Sequence, residues 1–373
     1  MSKRNLSRQQ RWRVEKVQAE RARRADKHDT RDNEKLAAGE YGPEQPGRVV
    51  AHFGRTLNVA PEGGGEIVRC HLRANLDGLV TGDRVVWRAA RDADDRVVDG
   101  VVVARGERES VLERPDARGQ LKPVAANIDQ ILIVFAVEPA PHANLIDRYL
   151  IAAEATGIAP VLVLNKIDLL PAGGGELREL LGRYEGLGYA VVTSTTARED
   201  GLTALRERLG GRTSVFVGQS GVGKSSLIDR LLPDEELRIG ALSKDSRKGT
   251  HTTTTARLYR LPGTGVENQT AGGSAADPAA KDLAESGELI DSPGIREFGL
   301  VHLDEQQVAE GFIEFHEWLG RCHFRDCRHR QEPGCALLGA VERGEIHPER
   351  FASYRRIVES LNDPAAITPP KPR

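Results

Sequence analysis

The residues best suited to chemistry form a glycine-rich loop from Gly218 to Ser225, with the sequence Gly-Gln-Ser-Gly-Val-Gly-Lys-Ser. The loop matches the phosphate-binding pattern G-x-x-x-x-G-K-[ST] in full. Its glycines let backbone N–H groups approach a phosphate, Lys224 supplies positive charge to the β- and γ-phosphates, and the Ser225 hydroxyl can bind Mg²⁺. The predicted nucleotide contacts are Gly218, Gln219, Ser220, Gly221, Val222, Gly223, Lys224, Ser225 and Ser226.

A second motif, Asn-Lys-Ile-Asp from Asn165 to Asp168, identifies the base. A carboxylate at Asp168 can accept hydrogen bonds from the N1 and N2 donors of guanine, a pattern that adenine does not offer, so an ATP-using enzyme is the weaker alternative. Lys166 is expected to lay its aliphatic stem along the base, and Asn165 to brace the phosphate loop. Ser194 and Thr195, which follow a later strand, are predicted to form the last guanine-contacting loop.

The third motif has the form D-x-x-G, from Asp291 to Gly294. We expect Asp291 to hold Mg²⁺ through water and the Gly294 N–H to contact the γ-phosphate, the alternative being a plain turn. Many GTPases carry Gln at the next position to orient the attacking water, but here it is the apolar Ile295. His251 is the nearest candidate in type and position for that catalytic role, against a structural or solvent-facing histidine.

The threonine-rich segment from Gly249 to Thr255 is predicted to be a switch loop. One of its threonines must reach Mg²⁺ when the γ-phosphate is present. Thr253 is the predicted ligand, with Thr252 and Thr254 as close alternatives. The predicted magnesium-binding residues are therefore Ser225, Thr253 and Asp291.

The three motifs occur in a rotated order, because ordinary GTPases place the guanine-reading loop last and here it comes first. A segment rich in Cys and His then follows the D-x-x-G motif. Its members Cys322, Cys327, His329 and Cys335 match a closed tetrahedral Zn²⁺ site, with His323 as a possible substitute ligand. All four coordination positions are filled, so we predict one structural zinc rather than a catalytic metal.

Strands with buried faces must position the nucleotide motifs. Continuous apolar runs separated by helical stretches predict a parallel α/β sheet, and strand ends at Asn165, Gly218 and Asp291 bring the three loops to its ligand-binding edge. The runs are Ile131–Val137, Val161–Leu164, Ala190–Val192, Val215–Val217 and Glu288–Ile290. The stretch from Pro262 to Gly287, rich in Gly, Ala, Thr, Ser and Asp, is predicted to be a flexible hairpin insertion.

The N-terminal part has a different composition. The first 35 residues contain twelve Lys or Arg and six Asp or Glu, so residues 1–46 are predicted to be a basic, disordered arm for a polyanionic partner, or simply a solvated tail. Residues 47–112 contain short β-rich runs between Gly-rich turns and predict a small β-barrel, with Cys70 in its core. The chain has no secretory signal or membrane-length apolar run, so we expect a cytoplasmic monomer without a membrane partner.

In combination, these motifs and the Cys and His spacing resemble the circularly permuted, small-subunit-dependent GTPases of the RsgA family, also called YjeQ or EngC. The resemblance covers about residues 47–360 and implies an OB-fold over 47–112, a GTPase domain over 113–300, and a mainly α zinc-binding domain with a C-terminal tail over 301–373. It also implies Mg²⁺ with GTP, a catalytic role for His251 and hydrolysis stimulated by the small ribosomal subunit during its late maturation.

The expected partners are thus GTP or GDP, the small ribosomal subunit and its rRNA. The rotated order also suggests that nucleotide state reaches the zinc domain through the D-x-x-G motif that precedes it. The rival hypothesis is an rRNA-binding assembly scaffold in which nucleotide has a mainly structural role.

Overall fold

The computed structural model describes residues 41–73, 76, 78–92, 94–115, 120–232, 256–262, 286–291, 300 and 302–361. The chain divides into two compact units, with the division between Arg108 and Glu109. None of the helices in these ranges combines the length and hydropathy that crossing a lipid bilayer requires.

The first unit is a closed five-stranded barrel. β1 pairs with β2, β2 with β3, β5 with β4 and β4 with β1, all antiparallel, whereas β3 and β5 run parallel. This pairing closes the sheet on itself and confirms the OB-fold. The strands are β1 (Tyr41–Phe53), β2 (Thr56–Pro61), β3 (Val68–Leu72), β4 (Arg84–Arg91) and β5 (Val97–Arg105).

Trp87 and Cys70 belong to the core of the barrel, and both are buried. They pack with aliphatic side chains from neighbouring strands. Burial raises the pKa of the Cys70 thiol to about 12, so the thiol stays protonated at neutral pH. Cys70 is a core residue, as predicted.

The barrel differs from the predicted span of 47–112 at both ends. β1 begins at Tyr41, inside the predicted arm, because Tyr41 pairs with Ala90 on β4 across an irregular register. Pro43 interrupts the pattern of that strand, since proline cannot donate to a β-ladder. At the other end Arg108 closes the unit. Residues 1–40 of the predicted arm lie outside the described residues.

Arg108 belongs to the barrel through one buried ion pair. Its guanidinium donates to both carboxylate oxygens of Asp83, with Nε–Oδ1 and Nη2–Oδ2 distances of 2.6 and 2.8 Å. Asp83 is fully buried, so this bidentate pair ties the chain segment after β5 back onto the barrel.

The second unit is built on a parallel sheet with strand order β10–β9–β8–β11–β13, to which β12 adds antiparallel beside β13. Its strands are β6 (Val111–Pro115), β7 (Leu121–Ala126), β8 (Gln130–Ala136), β9 (Ala159–Asn165), β10 (Ala190–Thr193), β11 (Thr213–Val217), β12 (Arg257–Arg260) and β13 (Glu288–Asp291). The helices among them are α1 (Ala143–Glu154), α2 (Gly175–Gly186), α3 (Thr203–Leu209) and α4 (Lys224–Leu231). β6 and β7 form a separate antiparallel pair.

The predicted insertion lies between β12 and β13. These two strands pair antiparallel, and the Leu261 N–H donates to the Gly287 carbonyl at 2.8 Å. The ends of the segment therefore meet as in a hairpin. Residues 263–285 lie outside the described residues.

The last part of the chain, residues 300 and 302–361, is called the C-terminal module below. It contains α5 (Glu305–Glu310), α6 (Ala336–Glu342) and α7 (Pro348–Leu361), and is mainly α as predicted. Its aromatic core includes Phe312 and Phe315, whose rings stack with centroids 4.7 Å apart. Tyr354 of α7 meets both rings edge-on.

Candidate nucleotide site and metal-binding group

Four strand ends of the second unit converge on one edge of its sheet. β8, β9, β11 and β13 run parallel, so their carboxyl ends at Ala136, Asn165, Val217 and Asp291 lie on the same side of the sheet. The Val137 N–H donates to the Asn165 carbonyl at 3.2 Å, which joins two of these strand ends directly. Ligands of open α/β sheets bind at this edge.

Asn165 connects the predicted guanine loop to the predicted phosphate loop. Its side-chain nitrogen donates to the Val222 carbonyl at 2.9 Å, and its side-chain oxygen accepts from the Ser194 hydroxyl at 3.1 Å. Both polar side chains are buried. Because each end of the amide has its own partner, Ser194 fixes the orientation in which Asn165 braces the phosphate loop.

Lys166 makes a second bridge. Its ammonium donates to the Gly221 carbonyl at 2.8 Å and to the Glu138 carbonyl at 2.7 Å. The backbone of Lys166 has a φ of 59°, a left-handed conformation that turns the chain away from β9. The lysine thus ties the guanine loop both to the phosphate loop and to the segment that precedes α1.

Thr195 orients the carboxylate of Asp168. The Thr195 hydroxyl donates to Asp168 Oδ1 and accepts from the Ala197 N–H at 3.1 Å. Because an ionised carboxylate can only accept hydrogen bonds, the hydroxyl hydrogen of Thr195 points to Asp168. Asp168 is exposed, so it can accept hydrogen bonds from a ligand. Sequence reasoning placed Ser194 and Thr195 at the base, and the structure adds that each one holds a side chain of the guanine motif.

The phosphate loop runs from the end of β11 into the first turn of α4. Lys224 is buried, and its ammonium donates to the Gly218 and Gln219 carbonyls, both at 2.6 Å. Ser225 and Ser226 are exposed at the start of α4, whose first N–H groups and dipole favour an anion. The loop backbone is curled, with positive φ values at Gly218, Gly221 and Gly223.

Gly218 permits this curl because the loop passes very close to β8. Its φ is 138°, and a Cβ built on it would lie 2.1 Å from the Val134 carbonyl oxygen. We therefore expect Gly218→Ala to displace the phosphate loop and to abolish detectable binding of a fluorescent GDP analogue in titrations.

The matched control is Gly182→Ala, an exposed position inside α2 where an added Cβ meets nothing within 4 Å. This change should leave nucleotide affinity unaltered and stabilise the helix by up to about 1 kcal/mol. Binding of wild-type strength in the Gly218 variant would show that the close approach to β8 does not shape the site.

Asp291 ends β13, next to β11, and is partly buried. It therefore lies at the same edge of the sheet as the predicted phosphate loop. The remaining predicted switch and catalytic residues lie outside the described residues: His251, Thr252, Thr253, Thr254, Gly294 and Ile295. Their roles stay predictions.

The four predicted metal ligands come together in the C-terminal module. The sulfur atoms and one His nitrogen of Cys322, Cys327, His329 and Cys335 all lie within 4.8 Å of one another. His329 Nδ1 is 3.5 Å from Cys322 Sγ and 3.4 Å from Cys335 Sγ, and these two sulfurs are 4.0 Å apart. Tetrahedral zinc with ordinary bond lengths gives ligand separations of about 3.6 to 3.8 Å, so the residues fit such an ion. His323, the alternative ligand, is not in this group.

Glu332 organises the loop between the last two ligands. Its carboxylate accepts from the N–H groups of Arg328 and Arg330 at 3.1 and 2.7 Å. His329, between them, has a φ of 56°, a left-handed conformation. The loop is thus shaped around its histidine by backbone hydrogen bonds, which sequence spacing alone does not reveal.

Comparison with known proteins agrees with this geometry. The family model for RsgA GTPase matches residues 105–277. The chain is 68% identical to the small ribosomal subunit biogenesis GTPase RsgA of Chromohalobacter salexigens over 97% of this chain and 99% of that protein. It is 54% identical to the protein of the same name from Ectopseudomonas mendocina, over 97% and 98% of the two chains.

Solved structures show the same likeness. YjeQ from Thermotoga maritima aligns with a TM-score of 0.64 and 29% identity, over 86% of this chain and 99% of that one. YloQ, described as a circularly permuted GTPase, aligns with a TM-score of 0.62 and 25% identity, over 89% and 97% of the two chains.

Proposed function

This chain belongs to the RsgA family of circularly permuted GTPases, and from that premise we propose that it hydrolyses GTP to GDP and phosphate during late maturation of the small ribosomal subunit. The observation that carries the nucleotide assignment is the hydrogen bond from Asn165 to Val222, because it joins a guanine-reading motif to a phosphate loop in a single site. The names of the relatives support the ribosomal role.

In the proposed complex, Asp168 accepts from the guanine base, and Lys224 contacts the β- and γ-phosphates. Ser225, Thr253 and Asp291 hold Mg²⁺, and the Gly294 N–H contacts the γ-phosphate. The metal ion neutralises charge on the phosphates when it is bound.

His251 takes the water-positioning role in this proposal, since Ile295 offers no polar group. The intrinsic reaction should therefore be slow and depend on how the partner arranges the switch loop. Replacing His251 with Ala should lower stimulated turnover while GTP affinity stays unchanged.

The proposed metal is one structural Zn²⁺. Its support is the ligand set, because three sulfurs and one imidazole occupy all four tetrahedral positions and leave none for a substrate. The ion would staple the loops between α5 and α6 to the aromatic core of the C-terminal module.

We propose that rRNA contacts the barrel and, as a separate contact in the second unit, the basic loop around the metal ligands. Four exposed arginines lie there: Arg321, Arg325, Arg328 and Arg330. Guanidinium groups make charge-assisted contacts with phosphate backbones, and the basic arm would add salt-dependent affinity. We further propose that the protein acts as a cytoplasmic monomer, and that it binds the subunit with GTP and is released after hydrolysis.

The experiment that tests the proposed function is GTP turnover with and without purified small subunits. We expect stimulation of about 10² or more, the usual contribution of one correctly positioned catalytic group. Purified large subunits are the control and should not stimulate. Unstimulated turnover, or equal subunit affinity with GDP and with a non-hydrolysable GTP analogue, would count against the proposal.

A second function, the rRNA-binding scaffold, is favoured by one observation. The position after D-x-x-G holds Ile295, so the residue that many GTPases use to orient water is missing there. In that case nucleotide would stabilise the fold, and turnover would be incidental.

A further inference from the structure

Helix α1 carries a buried acidic residue on its outer face. Asp147 is 1% exposed and forms an ion pair with Arg350 of α7, which is itself 5% exposed. The guanidinium also donates to Glu314, with Nε–Oε1 and Nη2–Oε2 distances of 2.6 and 2.9 Å. One arginine of the C-terminal module thus holds an acid of the GTPase domain and an acid of its own module.

A tyrosine of α2 completes this network. The Tyr184 hydroxyl donates to Asp147 Oδ1 at 2.6 Å, and burial together with the charge of Asp147 raises the pKa of Tyr184. Burial acts to lower the pKa of Arg350, but the hydrogen bonds to Glu314 and the charge of Asp147 outweigh it, so that pKa is raised. The guanidinium also lies 4.5 Å from the Phe312 ring. The pair is therefore enclosed, with both side chains buried.

The rest of the same helix face is covered by the C-terminal module as well. Asn144 Nδ2 donates to the Ser353 hydroxyl at 2.9 Å. A Cβ built on Gly311 would lie 2.6 Å from Ile151 Cγ2, so only glycine lets the module approach this closely. Ile151 is fully buried in the module's hydrophobic core. If the module unfolds, α1 loses its outer cover.

The module's core also contains the metal-binding group. Tyr354, one turn after Arg350 on α7, has its ring centroid 6.4 Å from that of His329. Cys335 is buried in the core that contains Phe312. A small core stapled by a metal commonly folds only when the metal is bound. We therefore expect the element that covers α1 to be ordered when the metal is bound and loosened when it is removed.

On its inner face α1 supports the nucleotide site. Leu150 of α1 is fully buried, and α1 packs on β8 and β9. β9 ends at Asn165, and Lys166 contacts the Glu138 carbonyl in the segment that leads into α1. Loosening α1 would thus disturb the strand and the segment that position the guanine motif.

We propose that the C-terminal module is a metal-dependent clamp on α1, so that metal binding at the Cys₃His group and guanine nucleotide binding stabilise each other. Arg350 is the positioning residue that joins the two. The proposal rests on the proposed function only in taking a guanine nucleotide as the ligand. Because linkage is reciprocal, nucleotide should also slow metal loss.

This clamp differs from the route that motif order suggests. In sequence, the D-x-x-G motif immediately precedes the C-terminal module, which points to the γ-phosphate as the signal. The ion pairs of Arg350 with Asp147 and of Glu349 with Arg183, however, join the module to α1 and α2. The coupling proposed here therefore needs a guanine nucleotide and no γ-phosphate.

The first test uses the wild-type protein, a zinc-selective chelator, constant Mg²⁺ and a fluorescent GDP analogue. We expect metal release to weaken GDP binding about 5-fold or more, and added Zn²⁺ to restore it. Hydrogen exchange should increase in residues 143–154. Metal release with unchanged GDP affinity would overturn the clamp. Absence of GDP binding in the untreated protein would instead refute the proposed function.

The second test compares Arg350→Met with Arg343→Met in the metal-loaded protein. Arg343 is the matched control, because it is exposed, pairs with Glu345 and lies on Trp318 away from α1. We expect only the Arg350 variant to lose GDP affinity and to release zinc faster. If that variant does not fold, Asn144→Ala removes both side-chain hydrogen bonds to Ser353 at the same interface with less disturbance. Effects equal to those of Arg343→Met would contradict the proposal.

Discussion

Replacing Asp168 with Asn is expected to lower GTP affinity by about 10² to 10⁴, because two hydrogen bonds to a charged acceptor contribute about 1.5 to 3 kcal/mol each. The same change should create affinity for xanthosine triphosphate. Xanthine carries a carbonyl where guanine carries the N2 amine, so an amide nitrogen can donate to it.

The orientation of the new amide is set by Thr195. Its hydroxyl accepts a hydrogen bond from the Ala197 N–H and donates one to Oδ1 at position 168. An amide there would keep its oxygen on Thr195 and turn its nitrogen toward the base. Xanthosine triphosphate binding by Asp168→Asn should therefore weaken when Thr195→Val is added, since the amide is then free to flip.

The measurement is competition of GTP, xanthosine triphosphate and ATP against a fluorescent nucleotide. Asp200→Asn, an exposed acid in the loop after Thr195, is the charge-matched control and should keep wild-type preference. Undiminished GTP binding by Asp168→Asn, or a wild-type preference for ATP, would show that Asp168 does not read the base.

The nucleotide motifs could be recognised in the sequence because their information is local. The phosphate loop and the guanine motif each lie within a few consecutive residues after an apolar strand, so spacing and strand position were sufficient. The metal-binding group could be recognised for the same reason, because its four ligands lie within one short segment. What spacing did not show is the support around these motifs, such as the Ser194 hydroxyl that orients Asn165.

The clamp on α1 could not be predicted, because its members are far apart in sequence. Asp147 and Arg350 are separated by 203 residues, and neither has a local pattern that distinguishes it from a solvated charge on a helix. The early start of β1 was missed for a different reason, since Pro43 disguises a strand whose pairing depends on β4. Both the Asp147–Arg350 pair and the start of β1 depend on contacts between residues that are far apart in sequence.

The rotated motif order acquires a different meaning from these contacts. Starting the domain at its guanine-reading half places α1 before every nucleotide motif and leaves the chain after β13 free to return to it. The Arg350–Asp147 pair shows where the returning chain docks. The C-terminal module follows the D-x-x-G motif in sequence, but in space it packs on α1 in the guanine-reading half. The buried Arg350–Asp147 contact favours α1 as the route that couples the module to the nucleotide site.

Replacing Lys224 with Ala is expected to lower GTP turnover by about 10² to 10³, the usual cost of removing one preorganised donor to developing charge. The ammonium lies 2.6 Å from the Gly218 and Gln219 carbonyls in the phosphate loop. When GTP binds, we expect it to donate to the phosphates instead. Lys224→Arg should not rescue turnover, because a planar guanidinium does not fit a buried site shaped for a compact ammonium. Single-turnover hydrolysis with bound small subunits provides the measurement.

The Lys224 variant also separates an enzyme from a scaffold. If hydrolysis drives release, Lys224→Ala should stay on the small subunit with GTP, and maturation should stall while the protein remains folded. Its melting temperature and zinc content provide the control for folding, since the metal group lies in the C-terminal module. A folded variant that no longer hydrolyses GTP yet leaves the subunit at the wild-type rate and supports maturation would establish the scaffold instead. If only the hydrolysis-deficient protein fails to leave the subunit, GTP hydrolysis at the phosphate loop is the step that drives release.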